Sequence, residues 1–207
     1  MYQATRTKRS LRGKTVLLTG AGTGLGRATA FALAREGCKI VVWDINAEAL
    51  DKTCADVRAA HAGAEVFPYA VNLADRAAVY ALAERVKSER GPVWGIINNA
   101  GIISGTPLLS TDDSRIELSF KVNALAHFWV VKAFLPDMIA KNDGRIVGIS
   151  SAAGFCACHA RGRGRRGTDA GSFRSVRWLT PRAVGGATSR PRRATDAVAP
   201  TAAGAPT

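Results

Sequence analysis

Thr15-Val16-Leu17-Leu18-Thr19-Gly20-Ala21-Gly22-Thr23-Gly24-Leu25-Gly26 reads as an apolar strand that runs through a glycine-rich turn straight into a helix. Such a turn brings bare backbone N–H groups and the positive end of a helix up to a pyrophosphate. Gly20 permits the tight turn, Gly24 clears a side chain from the phosphates' approach, and Gly26 lets the helix lie close on the strand. The ligand implied is a dinucleotide.

Further strands and helices alternate behind this turn. The helix from Gly24 to Glu36 is expected to present Leu25, Ala28 and Ala32 on one face and to stop at Gly37. Lys39 to Trp43 is a second strand ending in Asp44, which stands 20 positions after Gly24, where a strand-end carboxylate accepts both ribose hydroxyls. A carboxylate there repels a 2′-phosphate, and Ile45 rather than an arginine follows, so NAD is preferred over NADP. A helix from Asn46 to His61 carries Leu50, Cys54 and Val57 at helical spacing. A third strand, Glu65 to Val71, leads into Asn72-Leu73, and Asp75 caps a helix with Val79, Leu82 and Val86 on its apolar face. Strand four, Val93 to Ile97, runs into Asn98-Asn99-Ala100-Gly101. The pattern predicts an α/β fold with a doubly wound parallel sheet, Rossmann-like, and a crevice along its carboxyl edge.

Composition fits one soluble domain: 207 residues, 47% hydrophobic and 22% charged. No run reaches the roughly 20 apolar residues of a membrane span, and the first residues lack the apolar core of a signal peptide, so a cytoplasmic chain is expected. Of Cys38, Cys54, Cys156 and Cys158, two are expected as buried thiols. Cys156-Ala157-Cys158-His159 lacks a second ligand pair, so no metal site is expected. The net charge of +13 is uneven: from Phe155 onward there are ten Arg and two Asp but no Lys or Glu, so this stretch carries +8.

Thr19-Gly20-x-x-x-Gly24-x-Gly26, Asn98-Asn99-Ala100-Gly101, Asn123 and Ser150-Ser151 together resemble the short-chain dehydrogenase/reductase family. Val42-Trp43-Asp44-Ile45-Asn46 and His127 to Pro136 are similar to its branch of epidermal-type retinol dehydrogenases and hydroxysteroid dehydrogenases. The resemblance covers Leu11 to Phe155. It implies that Gly20, Gly24, Leu25 and Gly26 hold pyrophosphate, Asp44 the adenosine ribose, and Asn72 and Leu73 the adenine, with Asn99, Ala100 and Gly101 beside the cofactor. It implies that Asn123, on a helix beginning near it, holds a water of a proton relay, and that Ser151, at the end of a fifth strand, bonds the substrate oxygen. Expected partners are a small lipophilic alcohol or carbonyl compound, retinoid- or steroid-like, and a second copy of the chain. Members of the branch are often membrane-associated through an apolar N-terminus, which is not seen in this sequence.

The family's mechanism also needs Tyr-x-x-x-Lys, in which the lysine lowers the pKa of a phenol that ordinarily titrates near 10. Gly164 and Thr168 stand at the corresponding positions, the tyrosines are Tyr2, Tyr69 and Tyr80, and the last lysine is Lys141. The expectation is therefore an oxidoreductase that is inactive or severely impaired, or a catalytically dead NAD-binding or regulatory variant. The expected organisation is a basic extension over 1–12, an incomplete dinucleotide-binding domain over 13–154 truncated after the fifth strand, and a disordered Arg/Ala/Gly-rich tail over 155–207. Arginine without lysine is what an out-of-frame reading of a GC-rich gene gives, and translating the other two frames beyond Gly154 tests that origin. The missing strands would leave strand five as a bare apolar edge unless the tail covers it, Phe173 to Leu179 being the candidate. Nucleic-acid binding by Arg161, Arg163, Arg165 and Arg166 is a third, weaker reading, since the tail holds no recognition fold.

Overall fold

The computed structural model describes residues 10–103, 108–151 and 176–179. Strands β1 (Thr15–Thr19), β2 (Lys39–Asp44), β3 (Glu65–Ala70), β4 (Gly95–Asn98) and β5 (Arg145–Ile149) are parallel. With β6 (Val176–Leu179), antiparallel to β5, they form one sheet in the order β3-β2-β1-β4-β5-β6. The sheet thus has six strands where five were expected, and of the candidate segment Phe173 to Leu179 the described residues 176–179 pair with β5. The other assignments made for residues 155–207, and those for 1–9, lie outside the described residues.

Helices α1 (Gly24–Arg35) and α2 (Ala47–Ala60) cover one face of the sheet, and α3 (Arg76–Arg90) and α5 (Ala126–Ala140) the other. Alternation along the strands divides the core accordingly. Val16, Leu18, Ile40 and Val42 meet Leu33, Leu50, Cys54 and Val57 on the first face. Leu17, Val41 and Trp43 meet Val79, Val86, Val130 and Phe134 on the second. Asn46 and Asp75 cap α2 and α3, their side-chain oxygens accepting from Ala49 N–H and Ala78 N–H.

Two expectations need correction. Helix α1 buries Gly26, Ala30, Leu33 and Ala34, while Leu25, Ala28 and Ala32 are exposed. Contact at Gly26 sets the rotation of the helix, and alanines spread round it gave no contrast to read. The helix expected to begin near Asn123 begins at Asp113. An α-helical segment α4 (Asp113–Phe120) passes through a π-helical turn (Lys121–Leu125) into α5, and Asn123 lies inside that turn. This continuous 28-residue helix is, by length and composition alone, long and apolar enough to cross a membrane. Its residues Ala126, Val130, Ala133, Phe134 and Met138 are packed into the core.

Candidate functional site

β1 lies between β2, which leads on to β3, and β4, which leads on to β5. Connections therefore diverge to opposite sides at the carboxyl end of β1, opening a crevice there. A cavity of about 450 Å³ occupies it, and all ten positions to which the sequence assigns cofactor contacts line it.

The glycines build its floor. Gly20 (φ +66°) adopts a left-handed conformation, and a Cβ there would stand 2.7 Å from Ala100 Cα. At Gly26 a Cβ would fall 1.8 Å from the Gly20 carbonyl oxygen, so the helix touches the strand end directly. Gly24 (φ +54°) has no protein atom within 4 Å of a would-be Cβ, which leaves the cavity side open. Thr23, at the N-cap of α1, makes no side-chain capping bond. The first-turn N–H groups beside Gly24, Leu25 and Gly26 therefore lack a capping side-chain oxygen, a donor set suited to an anion.

Two strand ends are tied together at this floor. Thr19 Oγ1, on a residue only 1% exposed, accepts from Asn99 N–H at 3.0 Å and Ala100 N–H at 3.1 Å. Asn99 Nδ2 donates back to the carbonyls of Thr19 (2.9 Å) and Gly20 (3.0 Å). Asn99 thereby ties the β1 and β4 loops together, with Ala100 and Gly101 on the cavity wall.

Asp44 closes the far end. Its Oδ2 accepts from Gly22 N–H at 2.9 Å and its Oδ1 from Asn46 N–H at 3.1 Å. A carboxylate has about four acceptor positions, so further donors can still be accommodated. Asn72 folds its side chain onto Ala74 N–H at 3.0 Å and lies exposed, while Leu73 is buried beside it.

The two positions assigned to catalysis are placed differently. Asn123 is adjacent to the lining residue Val122, and both ends of its amide bind Ile102: Oδ1 accepts from the backbone N–H and Nδ2 donates to the carbonyl, each at 2.8 Å. Its side chain thus fastens the loop after β4 to the π turn. Ser151 is exposed just past the end of β5 and is not among the cavity's described lining residues.

Several contributors escaped the sequence reading. Ile102, Leu118 and Val122 join the lining from the β4 loop and the long helix. The ring of His127 lies with Nε2 3.4 Å from the Ala100 carbonyl oxygen, and its own carbonyl accepts from Asn98 Nδ2 at 3.3 Å. Burial holds its pKa below the ordinary 6.5. Thr53, fully buried on α2, donates from Oγ1 to the Gly22 carbonyl at 3.0 Å. A hydroxyl on the same helical face as Leu50, Cys54 and Val57 was the available signal for it. Among the described residues no cluster of His, Cys, Asp and Glu is suited to a metal.

Known proteins are similar to this chain in sequence and in fold. Mouse estradiol 17-beta-dehydrogenase 11 is 45% identical over 149 residues, covering 72% of this chain and 49% of its own length. Mouse epidermal retinol dehydrogenase 2 is 47% identical over 150 residues, covering 72% and 48%. The chain thus spans about half the length of these relatives. A metagenomic short-chain oxidoreductase solved in complex with NADP superposes with TM-score 0.68 at 32% identity, covering 72% of this chain and 67% of that one. NAD+-bound xylitol dehydrogenase superposes with TM-score 0.65 at 36% identity, covering 71% and 56%. The short chain dehydrogenase family model matches residues 14–161, and with the glycine turn, Asp44 and Asn99 gathered round one crevice, the chain belongs to that family.

Proposed function

We propose that this chain binds NAD(H) in preference to NADP(H) and is severely impaired in the hydride transfer that its relatives' names describe. The observation that carries the reading is that one crevice brings the uncapped first turn of α1 together with the Asp44 carboxylate. The bound dinucleotide would supply a hydride acceptor or donor at its nicotinamide. Gly20, Gly24, Leu25 and Gly26 would receive its phosphates on backbone N–H groups, and Asp44 would accept from ribose hydroxyls while its charge opposes a 2′-phosphate. Asn99 would keep the Ala100–Gly101 wall in place, through its bonds to Thr19 and Gly20.

A hydroxyl or carbonyl of a small lipophilic molecule, retinoid- or steroid-like as the two relatives' names suggest, would meet Ser151. No Tyr-x-x-x-Lys exists in the chain to move its proton. General acid–base catalysis typically supplies roughly 10²- to 10⁴-fold, and that loss makes the chain chiefly a dinucleotide binder. The packing of α5 into the core supports its reading as a core helix rather than a membrane span, and its outer face, with Phe128 72% and Ile139 58% exposed, supports pairing of two copies.

Titrating the full chain with NADH and NADPH by nucleotide fluorescence, followed by turnover with NAD and lipophilic secondary or allylic alcohols, tests the proposal. Saturable binding that favours NADH, with little or no turnover, is expected. Tighter NADPH binding would remove the cofactor reading, and robust turnover the reading of impaired catalysis. Sedimentation at the mass of a single 21.8 kDa chain would remove the pairing.

A further inference from the structure

We infer that Thr53, acting through Gly22, fixes the Asp44 carboxylate and so helps set which dinucleotide the crevice accepts; this rests on the NAD preference proposed above. Thr53 is a positioning residue, since its hydroxyl donates to the Gly22 carbonyl and it is not among the cavity's described lining residues.

The Gly22 peptide is held from both sides. Its N–H donates to Asp44 Oδ2 at 2.9 Å, and its carbonyl accepts from Thr53 Oγ1 at 3.0 Å. Asp44 Oδ1 is engaged by Asn46 N–H, at the N-cap of the helix that carries Thr53. Each carboxylate oxygen therefore has one backbone donor, and the orientation of the charge is set by the loop and by α2 together. Room is scarce: a Cβ at Gly22 would stand 3.0 Å from both Asp44 Oδ2 and Ala49 Cβ. Thr53 is itself fully buried, so its hydroxyl has no solvent to turn to, and its bond to Gly22 is the one that spares it an interior polar cost.

A pinned carboxylate discriminates better than a mobile one. Held in place, it keeps its remaining lone pairs available to ribose hydroxyls and presents a fixed negative charge to a 2′-phosphate. Without the Thr53 bond the Gly22 peptide can tilt, its N–H leaves Oδ2, and the carboxylate gains orientations that avoid the phosphate. Affinity for NADH then falls while that for NADPH is held or gained.

The test uses the full chain and three substitutions: Thr53→Val, which keeps shape and loses the donor; Thr53→Ser, which keeps the donor; and Gly22→Ala, which displaces Oδ2 from the other side. Dissociation constants for NADH and NADPH are measured with the melting temperature of each protein. Thr53→Val should narrow the NADPH-to-NADH ratio about fivefold, the scale of one hydrogen bond. Thr53→Ser should restore the ratio and Gly22→Ala should narrow it. A lowered melting temperature with an unchanged ratio in Thr53→Val would make Thr53 a stabilising residue only and overturn the inference. Should Thr53→Val not fold, an unchanged ratio in Gly22→Ala overturns it instead. A wild-type chain without NADH preference removes the underlying cofactor reading, whereas wild-type preference with indifferent variants removes the role of Thr53 alone.

Discussion

Replacing Thr19 by valine should loosen the crevice more than its conservative shape suggests. Valine fills the volume of threonine, so the packing of β1 is kept and only the acceptor oxygen is lost. That oxygen receives two backbone donors, Asn99 N–H and Ala100 N–H, at a residue 1% exposed. An orphaned buried donor costs about 1–3 kcal/mol, and because Asn99 and Ala100 are themselves only half-buried, the pair should cost about 2–4 kcal/mol. For a domain of this size, that lowers the melting temperature by about 6–12 °C. Thr19→Ser keeps the oxygen and should melt within about 3 °C of wild type. Thermal unfolding followed by tryptophan fluorescence measures both. A Thr19→Val protein that melts with wild type would show that water replaces the lost acceptor, and the two-loop tie would not be a determinant of stability.

Three further perturbations probe other parts of the chain. Gly26→Ala places a methyl 1.8 Å from the Gly20 carbonyl oxygen, so α1 must lift from β1; NADH affinity should fall at least about tenfold by fluorescence titration, and near-wild-type affinity would contradict the close approach. His127 is held neutral by burial, with a pKa below 6.5. The unfolded chain therefore binds the proton more readily, so the contribution of His127 to stability is full above 6.5 and fades as pH falls through the lower folded value. His127→Phe should flatten the pH dependence of urea unfolding just below 6.5, and parallel curves for the two proteins would count against this. Burial pushes the Cys38 and Cys54 thiols up to about 11, so both should resist iodoacetamide at neutral pH until the chain is unfolded. Peptide mapping that finds either alkylated in the native protein would place it at the surface.

Legibility followed the range of the interaction. The strand ends, the cap Asp75 and the turn glycines are encoded within a few residues of where they act, and the sequence displays them. Asp44 was legible because strand β2 must end beside β1 for the sheet to form. The buried face of α1 was not, because Ala28 and Ala32 offer the same side chain as Ala30 and Ala34, and only the contact of Gly26 with Gly20 decides between them. Thr53 binds a carbonyl 31 residues away and Asn123 a loop 21 residues away, so neither partner is written near its own residue. The continuous helix through Asn123 was hidden for a related reason: α4 buries none of its residues, so its stretch has no apolar stripe to announce it.

The cofactor binding and the chemistry proposed above would be separable along this chain. The described cavity lining comes from the ends of β1 to β4, the first turn of α1 and the long helix as far as Val122, all before β5. The hydrogen bonds that join its walls lie in the same segment: Thr19 with Asn99, Gly22 with Asp44 and Thr53, and Asn123 with Ile102. Ser151, by contrast, stands past β5, whose Gly148 pairs with Asn98 of β4, and it depends on that strand for its position. The two assays should therefore respond to different changes. A substitution on the β5 pairing edge that leaves the core intact, such as Ile149→Lys, should spare NADH affinity while lowering any residual turnover. Equal loss of both would mean that β5 supports the crevice as well as Ser151, and that binding and chemistry share one structural unit.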